Sequence, residues 1–202
     1  MGYRSQYQYL SQEQVALKSE AEKFAQQEIV PVAAKYDASA EFPQAIIKKA
    51  HALGLINLSI ADELGGTGLG IHDSCLIIEE IAAGCGGFST SMVANDLALT
   101  PILIGGTADQ KKKFVQPIVE AGELASFCLS EPGAGSDAAG ITTLISDQGD
   151  HYLLNGAKQW ITNGGYAKQF TVLPQAIKLK NIKVFAVWRK AQADSGRLDR
   201  AP

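Results

Sequence analysis

The chain has 202 residues, 46% of them hydrophobic and 19% charged, with a formal net charge of −3. That apolar share suits one large folded domain or two small ones and excludes a disordered chain. No run approaches the ~18 apolar residues of a membrane helix, and residues 1–10 lack the basic tip and apolar centre of a secretory signal.

Helical patterns fill residues 1–123. Ser11-Gln12-Glu13-Gln14 has the spacing of a capping box, and Leu17, Ala21, Phe24, Ala25 and Ile29 follow at helical intervals. Pro31 kinks or closes that run. Ile46, Ile47, Ala50 and Leu53 mark a second helix between Pro43 and Gly54, and Leu76, Ile77, Ile81 and Ala82 a third over residues 72–83. Residues 92–104 read as a buried helix despite Pro101. Thr107-Ala108-Asp109-Gln110 is another capping box, opening a helix through Val119 that ends near Gly122. Core packing accounts for these stripes.

The pattern then changes. Residues 124–130 form a strand-like run, and residues 141–145 are rich in β-branched side chains. His151-Tyr152-Leu153-Leu154 and Gln159-Trp160-Ile161-Thr162 flank Asn155-Gly156, a hairpin-turn signature that would put Trp160 and Thr162 on one strand face. Residues 170–173 and 182–187 read as later strands. Helices followed by strands predict an α+β chain, with an all-α domain over residues 1–123 and a β domain from residue 124.

Cys75, Cys85 and Cys128 form no CxxC pair and stand apart from His51, His72 and His151. That spacing speaks against disulfides and zinc, so no metal site is expected and buried reduced thiols in a cytoplasmic protein are. Positive charge gathers late: residues 171–202 hold seven basic and two acidic groups, against 11 and 19 in residues 1–170. No basic–aromatic pattern accompanies that charge, so nucleic acid is not an expected partner.

One segment asks for more than packing: Ser126-Phe127-Cys128-Leu129-Ser130-Glu131-Pro132-Gly133-Ala134-Gly135-Ser136-Asp137. Gly133, Gly135 and Ala138 fit the G-x-G-x-x-A dinucleotide fingerprint, but that motif needs a helix to start at the glycines. Here a proline precedes them, and Gly140 and β-branched residues follow. The Rossmann reading fails on context. Two glycines still let backbone approach a flat ligand, and the hydroxyls of Ser130 and Ser136 can bond its edge. A tight turn between domains is the plainer alternative. In the second segment, Asn155 to Gly165, an indole beside a hydroxyl suits an aromatic heterocycle, as Trp160 and Thr162 would supply. A core Trp with a surface Thr is the plainer alternative there.

Together the runs LSEPGAGSD and NGAKQWITNGG resemble the two flavin-contact segments of the acyl-CoA dehydrogenase family, in order and separation. QQEIVPVAAKYD, ELGGTGLGIHDSCLIIEEIA and GTADQKKKF extend the resemblance over roughly residues 10–172, on the medium-chain side of the family. The resemblance implies a helical N-terminal domain and a truncated β-barrel or sheet domain, residues 124–188. It implies FAD as cofactor, held by Phe127, Cys128, Leu129, Ser130, Gly133, Gly135, Ser136, Trp160, Ile161 and Thr162. Ser136 resembles the residue that also touches the acyl-CoA substrate. The implied reaction removes an α-proton and passes the β-hydride to flavin N5, and an electron-transferring flavoprotein takes the electrons.

The family's catalytic glutamate lies in a C-terminal helical domain, and this sequence has no glutamate after Glu131. No residue here is therefore assigned as catalytic base. From Trp188 onward WRKAQADSGRLDRAP resembles nothing in the family, so residues 189–202 are expected to be an unrelated tail behind a truncation or frame change near residues 174–188. Two functions follow as expectations. One is an acyl-CoA dehydrogenase, as a homo-oligomer or complemented by a separate C-terminal chain. The other is a non-catalytic remnant, a folded helical binding module with an incomplete flavin site.

Overall fold

Ser11 caps the first helix through both halves of the box: its Oγ accepts from the Gln14 backbone N–H, and Gln14 Oε1 accepts from Ser11 N–H. In this computed structural model, residues 9–176 are described, together with the strand backbones at 186–189 and 197–199. Helix α1, Gln12–Phe24, passes into a π-helical turn, Ala25–Ile29, and then α2, Val30–Ser39. Pro31 lies at the start of α2, and its missing N–H explains why bonding widens just before it. The helical run thus continues through Pro31 and is not closed by it. Helix α3 covers Gln44–Ala52 and stops before Gly54, whose φ of +68° an L side chain tolerates poorly. Ile46, Ile47 and Ala50 are buried there, whereas Leu53, expected on the same stripe, is 64% exposed.

Helix α4, Ile71–Gly84, packs on α1. Gln14 Nε2 donates to Asp73 Oδ1 at 2.8 Å, and Lys18 pairs with Glu80. Gly84 admits the π-helical turn: a Cβ there would come within 3.2 Å of Ala25 Cβ. Helix α5, Gly86–Gly105, buries Phe88, Met92, Asn95, Leu99 and Ile102 along one stripe. Thr100 Oγ1 donates to the Asp96 carbonyl one turn back, an i−4 side-chain bond just before Pro101, which sits inside the helix. The expected helix after Thr107 is two short ones, α6, Ala108–Phe114, and α7, Gln116–Glu120, the second beginning around Pro117. Among the described residues, no helix is long and apolar enough to cross a membrane.

Contacts divide the chain into two compact units, residues 1–93 and 94–202. That division falls inside α5, not at the change from helix to strand near residue 123. Two bonds within the second unit explain why the end of α5 goes with the strands. Asn95 Oδ1 accepts from Ala125 N–H, and Thr171 Oγ1 donates to the Ala98 carbonyl at 2.6 Å.

Strands β1, Ala125–Cys128, β4, Gln169–Val172, and β6, Ala186–Arg189, make one sheet, with β1 parallel and β6 antiparallel to the central β4. Strands β2, Leu144–Asp147, β3, His151–Asn155, β5, Gln175–Ala176, and β7, Arg197–Asp199, make the second, in the order β5-β2-β3-β7. The alternation of β1 and β4 divides their side chains by face. Thr171 turns to α5, while Cys128 and Val172 pack with Ile145, Tyr152, Leu154, Ile161 and Phe170. The expected strand at residues 182–187 lies outside the described residues as far as 185, and its last two residues begin β6. A helical part followed by sheets is the predicted α+β order.

The thiols depart from expectation. All three cysteines are free, but only Cys128 is buried; Cys85 is half-buried and Cys75 is exposed on α4. Helical spacing carries Cys75 away from the Leu76–Ile77–Ile81 stripe.

Candidate functional site

Strand β1 delivers Phe127 and Leu129 half-buried, Cys128 buried and Ser130 half-buried at its end. Beyond it the chain folds into a tight turn in which Glu131 N–H donates to the Ala134 carbonyl at 2.9 Å and Ala134 N–H returns the bond at 3.1 Å. Gly133, Gly135 and Ser136 are exposed on that turn. Asp137 accepts from Gly140 N–H, and a single 3-10 turn, Ala138–Gly140, leads towards β2. No α-helix starts at the glycines, in line with the failure of the Rossmann reading.

These glycines need a reason. Neither has a left-handed φ, and a Cβ at Gly133 or Gly135 would meet nothing within 4 Å. Neither backbone conformation nor packing among the described residues therefore requires glycine there. A flat ligand approaching the turn backbone would favour glycine at both positions.

The second segment corrects the sequence reading. The β2–β3 hairpin turns at Gln148–Asp150, where Gly149 has φ +94° and its N–H bonds Asp147 Oδ1 at 2.8 Å. Asn155-Gly156 instead ends β3, because Gly156 has φ +153° and lies against Thr143 with no room for a Cβ. Residues 159–162 are loop, so pleat alternation does not place Trp160 and Thr162 on one face. Trp160 adopts φ +59°, rare for a bulky residue, and its side chain is 85% exposed. Ile161 turns inward to the Cys128 cluster, and Thr162 is half-buried. The Thr162 carbonyl accepts from Ser126 Oγ at 2.8 Å, and Gln159 N–H donates to the Ser130 carbonyl at 3.0 Å. The two candidate segments are thus joined directly.

A buried ion pair, absent from the sequence reading, lies at this junction. Lys158 Nζ donates to Glu131 Oε1 at 2.7 Å, to the Leu129 carbonyl at 2.9 Å and to the Leu173 carbonyl at 2.8 Å. Glu131 also accepts from Thr142 N–H and Oγ1 and from Thr143 N–H. Burial alone would raise the Glu131 pKa, but the Lys158 ammonium and the donors of Thr142 and Thr143 outweigh it and hold the carboxyl well below the usual range. Burial pushes the Cys128 thiol up to about 12 against the smaller opposing pull of Lys158. A lysine among small residues in NGAKQW was the available sequence signal for the pair, but spacing alone named no partner.

An exposed indole and two unhindered glycines fit a flat aromatic group, with the Ser130 hydroxyl as a candidate bond to its edge. Among the described residues, no group of three His, Cys, Asp or Glu is set to hold a metal ion.

Comparison with known proteins gives two family matches: acyl-CoA dehydrogenase, N-terminal domain, over residues 11–122, and acyl-CoA dehydrogenase, middle domain, over residues 126–199. The second extends into the stretch after Trp188 that was expected to lack family resemblance. A probable medium-chain specific acyl-CoA dehydrogenase of Caenorhabditis briggsae is 41% identical over 83% of this chain and 41% of its own length. The short-chain specific enzyme of Homo sapiens is 40% identical over 81% of this chain and 41% of its own length. The chain spans about two fifths of the length of these relatives. Among solved structures, a glutaryl-CoA dehydrogenase from Mycobacterium smegmatis in complex with FADH2 superposes with a TM-score of 0.81 at 27% identity, covering 89% of this chain and 46% of that one.

Proposed function

The chain belongs to the acyl-CoA dehydrogenase family, and from that premise we propose that it binds FAD and serves the α,β-dehydrogenation of acyl-CoA thioesters. The observation that carries this is that Gly133 and Gly135 face open space on a turn hydrogen-bonded, through Ser130 and Glu131, to the segment that carries the exposed Trp160. When bound, FAD supplies the hydride acceptor. Phe127, Cys128, Leu129, Ser130, Gly133, Gly135 and Ser136 form one candidate wall, and Trp160, Ile161 and Thr162 the other. Ser136, exposed on the glycine turn, is the candidate contact to acyl-CoA.

The proton is the harder part. Glu131 is the last glutamate in the sequence, and its carboxylate is buried and bonded to Lys158, Thr142 and Thr143. A carboxylate so engaged does not reach for a substrate proton. We therefore assign the general base to residues outside these 202, on the same polypeptide or a second one. A binding module without catalysis is the second reading, favoured by this engagement of Glu131. An electron-transferring flavoprotein as electron acceptor, a homo-oligomeric assembly and a cytoplasmic location complete the proposal. Similar identity to medium-chain and short-chain relatives leaves acyl length outside it.

The test is anaerobic mixing of the 202-residue chain and FAD with a medium-chain acyl-CoA, following flavin absorbance. The expected result is a perturbed flavin spectrum without fast bleaching, since a positioned base contributes ~10²–10⁴-fold. An unperturbed spectrum overturns the flavin site. Bleaching at the rate of a complete dehydrogenase overturns the external base.

A further inference from the structure

We propose that Lys158 is a positioning residue for the flavin site, clamping the glycine turn and the Trp160 segment into one arrangement. This rests on the flavin reading above. Three successive residues of the first segment are bonded to two successive residues of the second. Lys158 Nζ takes the Leu129 carbonyl and the Glu131 carboxylate, and Gln159 N–H takes the Ser130 carbonyl between them. No β-ladder joins these stretches, so the ammonium supplies the cross-links that a strand pair would otherwise give.

The third Lys158 donor reaches the Leu173 carbonyl, just past β4, while Leu173 N–H donates to the Cys128 carbonyl at 3.0 Å. The clamp is therefore anchored on the ends of β1 and β4, the paired strands of the first sheet. All three N–H groups of the ammonium are used. Glu131 in turn receives the donors of Thr142 and Thr143, which lead into β2 of the second sheet. Four stretches of chain meet at one ion pair whose side chains are only 10% and 2% exposed.

Stability alone is a poor account of such a pair, because well-packed apolar residues often serve as well or better. Directionality is the better account. An apolar pair would tolerate sliding of the glycine turn, whereas three bonds of 2.7–2.9 Å converging on one nitrogen fix its place. Lys158 also stands two residues before Trp160, so the same anchor sets where the indole leaves the chain.

The test compares the 202-residue chain with its Lys158→Met, Lys158→Gln and Lys158→Arg variants. Backbone hydrogen exchange is read without cofactor, and FAD affinity is read by flavin fluorescence between pH 5 and pH 8. In Lys158→Met, the Gln159, Glu131 and Ala134 amides should lose at least tenfold protection while the β1–β4 ladder keeps its own. FAD should bind at least tenfold more weakly and weaken further towards pH 5, as Glu131 without its ammonium takes up a proton and releases Thr142 and Thr143. Lys158→Arg, which keeps the charge, should recover most of the affinity. Asn95→Ala, which acts on the α5–β1 junction, should lower Tm yet leave the affinity within twofold. Should Lys158→Met not fold, Lys158→Gln is read in its place.

The outcomes separate cleanly. Unchanged protection in Lys158→Met overturns the clamp, whatever FAD does. Lost protection with FAD bound as tightly as by the unaltered chain overturns its role in the cofactor site. An unaltered chain that binds no FAD overturns the flavin reading, and lost protection would then support the clamp as a purely structural device.

Discussion

Asn95 Oδ1 accepts the backbone N–H of Ala125 at 2.5 Å, with the Asn95 side chain fully buried, so a helix side chain completes the hydrogen bonding of the first strand. The same amide offers Nδ2 to the Glu123 carbonyl at 3.5 Å. Removing it leaves a buried N–H without its acceptor, which costs about 1–3 kcal/mol. Asn95→Ala is expected to lower Tm by about 3–10 °C in a chain of this size. Calorimetry checks this, and an unchanged Tm would show that the α5–β1 junction finds another acceptor.

The cysteines should react in an order set by exposure. Cys75 is exposed, Cys85 half-buried and Cys128 buried. With its pKa pushed up to about 12, Cys128 is about one part in ten thousand thiolate at pH 8, and the thiolate is the reactive form. Timed alkylation read by mass spectrometry should label Cys75 first, Cys85 later and Cys128 only on unfolding. Early labelling of Cys128 would contradict the packing around Ile145 and Val172.

Local rules made much of this legible from sequence. Ser11 with Gln14 and Thr107 with Gln110 announced helix starts because a capping box is complete within four residues. The strand at Ala125–Cys128 and the change from helix to strand were equally local. Asn155-Gly156 misled because a turn dipeptide specifies a hairpin only when both flanks pair, and here β3 pairs with β2 on the other side. The glycine in that pair answers to Thr143, a contact across the fold. Lys158 and Glu131 were illegible for the same reason. Ordinary solvent-facing charges look no different until the chain closes around them.

Glu131 gives the stability an acid limb of known sign. Its folded pKa is depressed below the unfolded value near 4.5, so its contribution is fully present above that pH. It is lost as pH falls from the unfolded towards the folded value. Breaking the pair from one side costs about 3–5 kcal/mol. Glu131→Gln should therefore be destabilised by about that amount at pH 7, with the gap narrowing steadily below pH 4. Urea titrations at several pH values measure it, and a gap that stays constant down to pH 2 would show that the carboxylate charge is not what matters.

The glycine turn separates a ligand's demand from the fold's. Gly133 and Gly135 have neither a left-handed φ nor a neighbour within 4 Å of a built Cβ, so alanine at either position strains nothing in the chain itself. Loss of backbone freedom in the unfolded state then stabilises each variant by about 0.4–1 kcal/mol or leaves it unchanged. Gly156→Ala behaves oppositely: at φ +153° and hard against Thr143, its methyl has no place, and stability falls by more than that amount. A flat cofactor seated on the turn reverses the ranking for binding. Gly133→Ala and Gly135→Ala should weaken FAD binding tenfold or more, because each methyl occupies space the ring system would need. Equilibrium titration with FAD beside thermal melts resolves the two effects. Full affinity in both stable alanine variants would mean that the open space at these glycines is not where the cofactor sits.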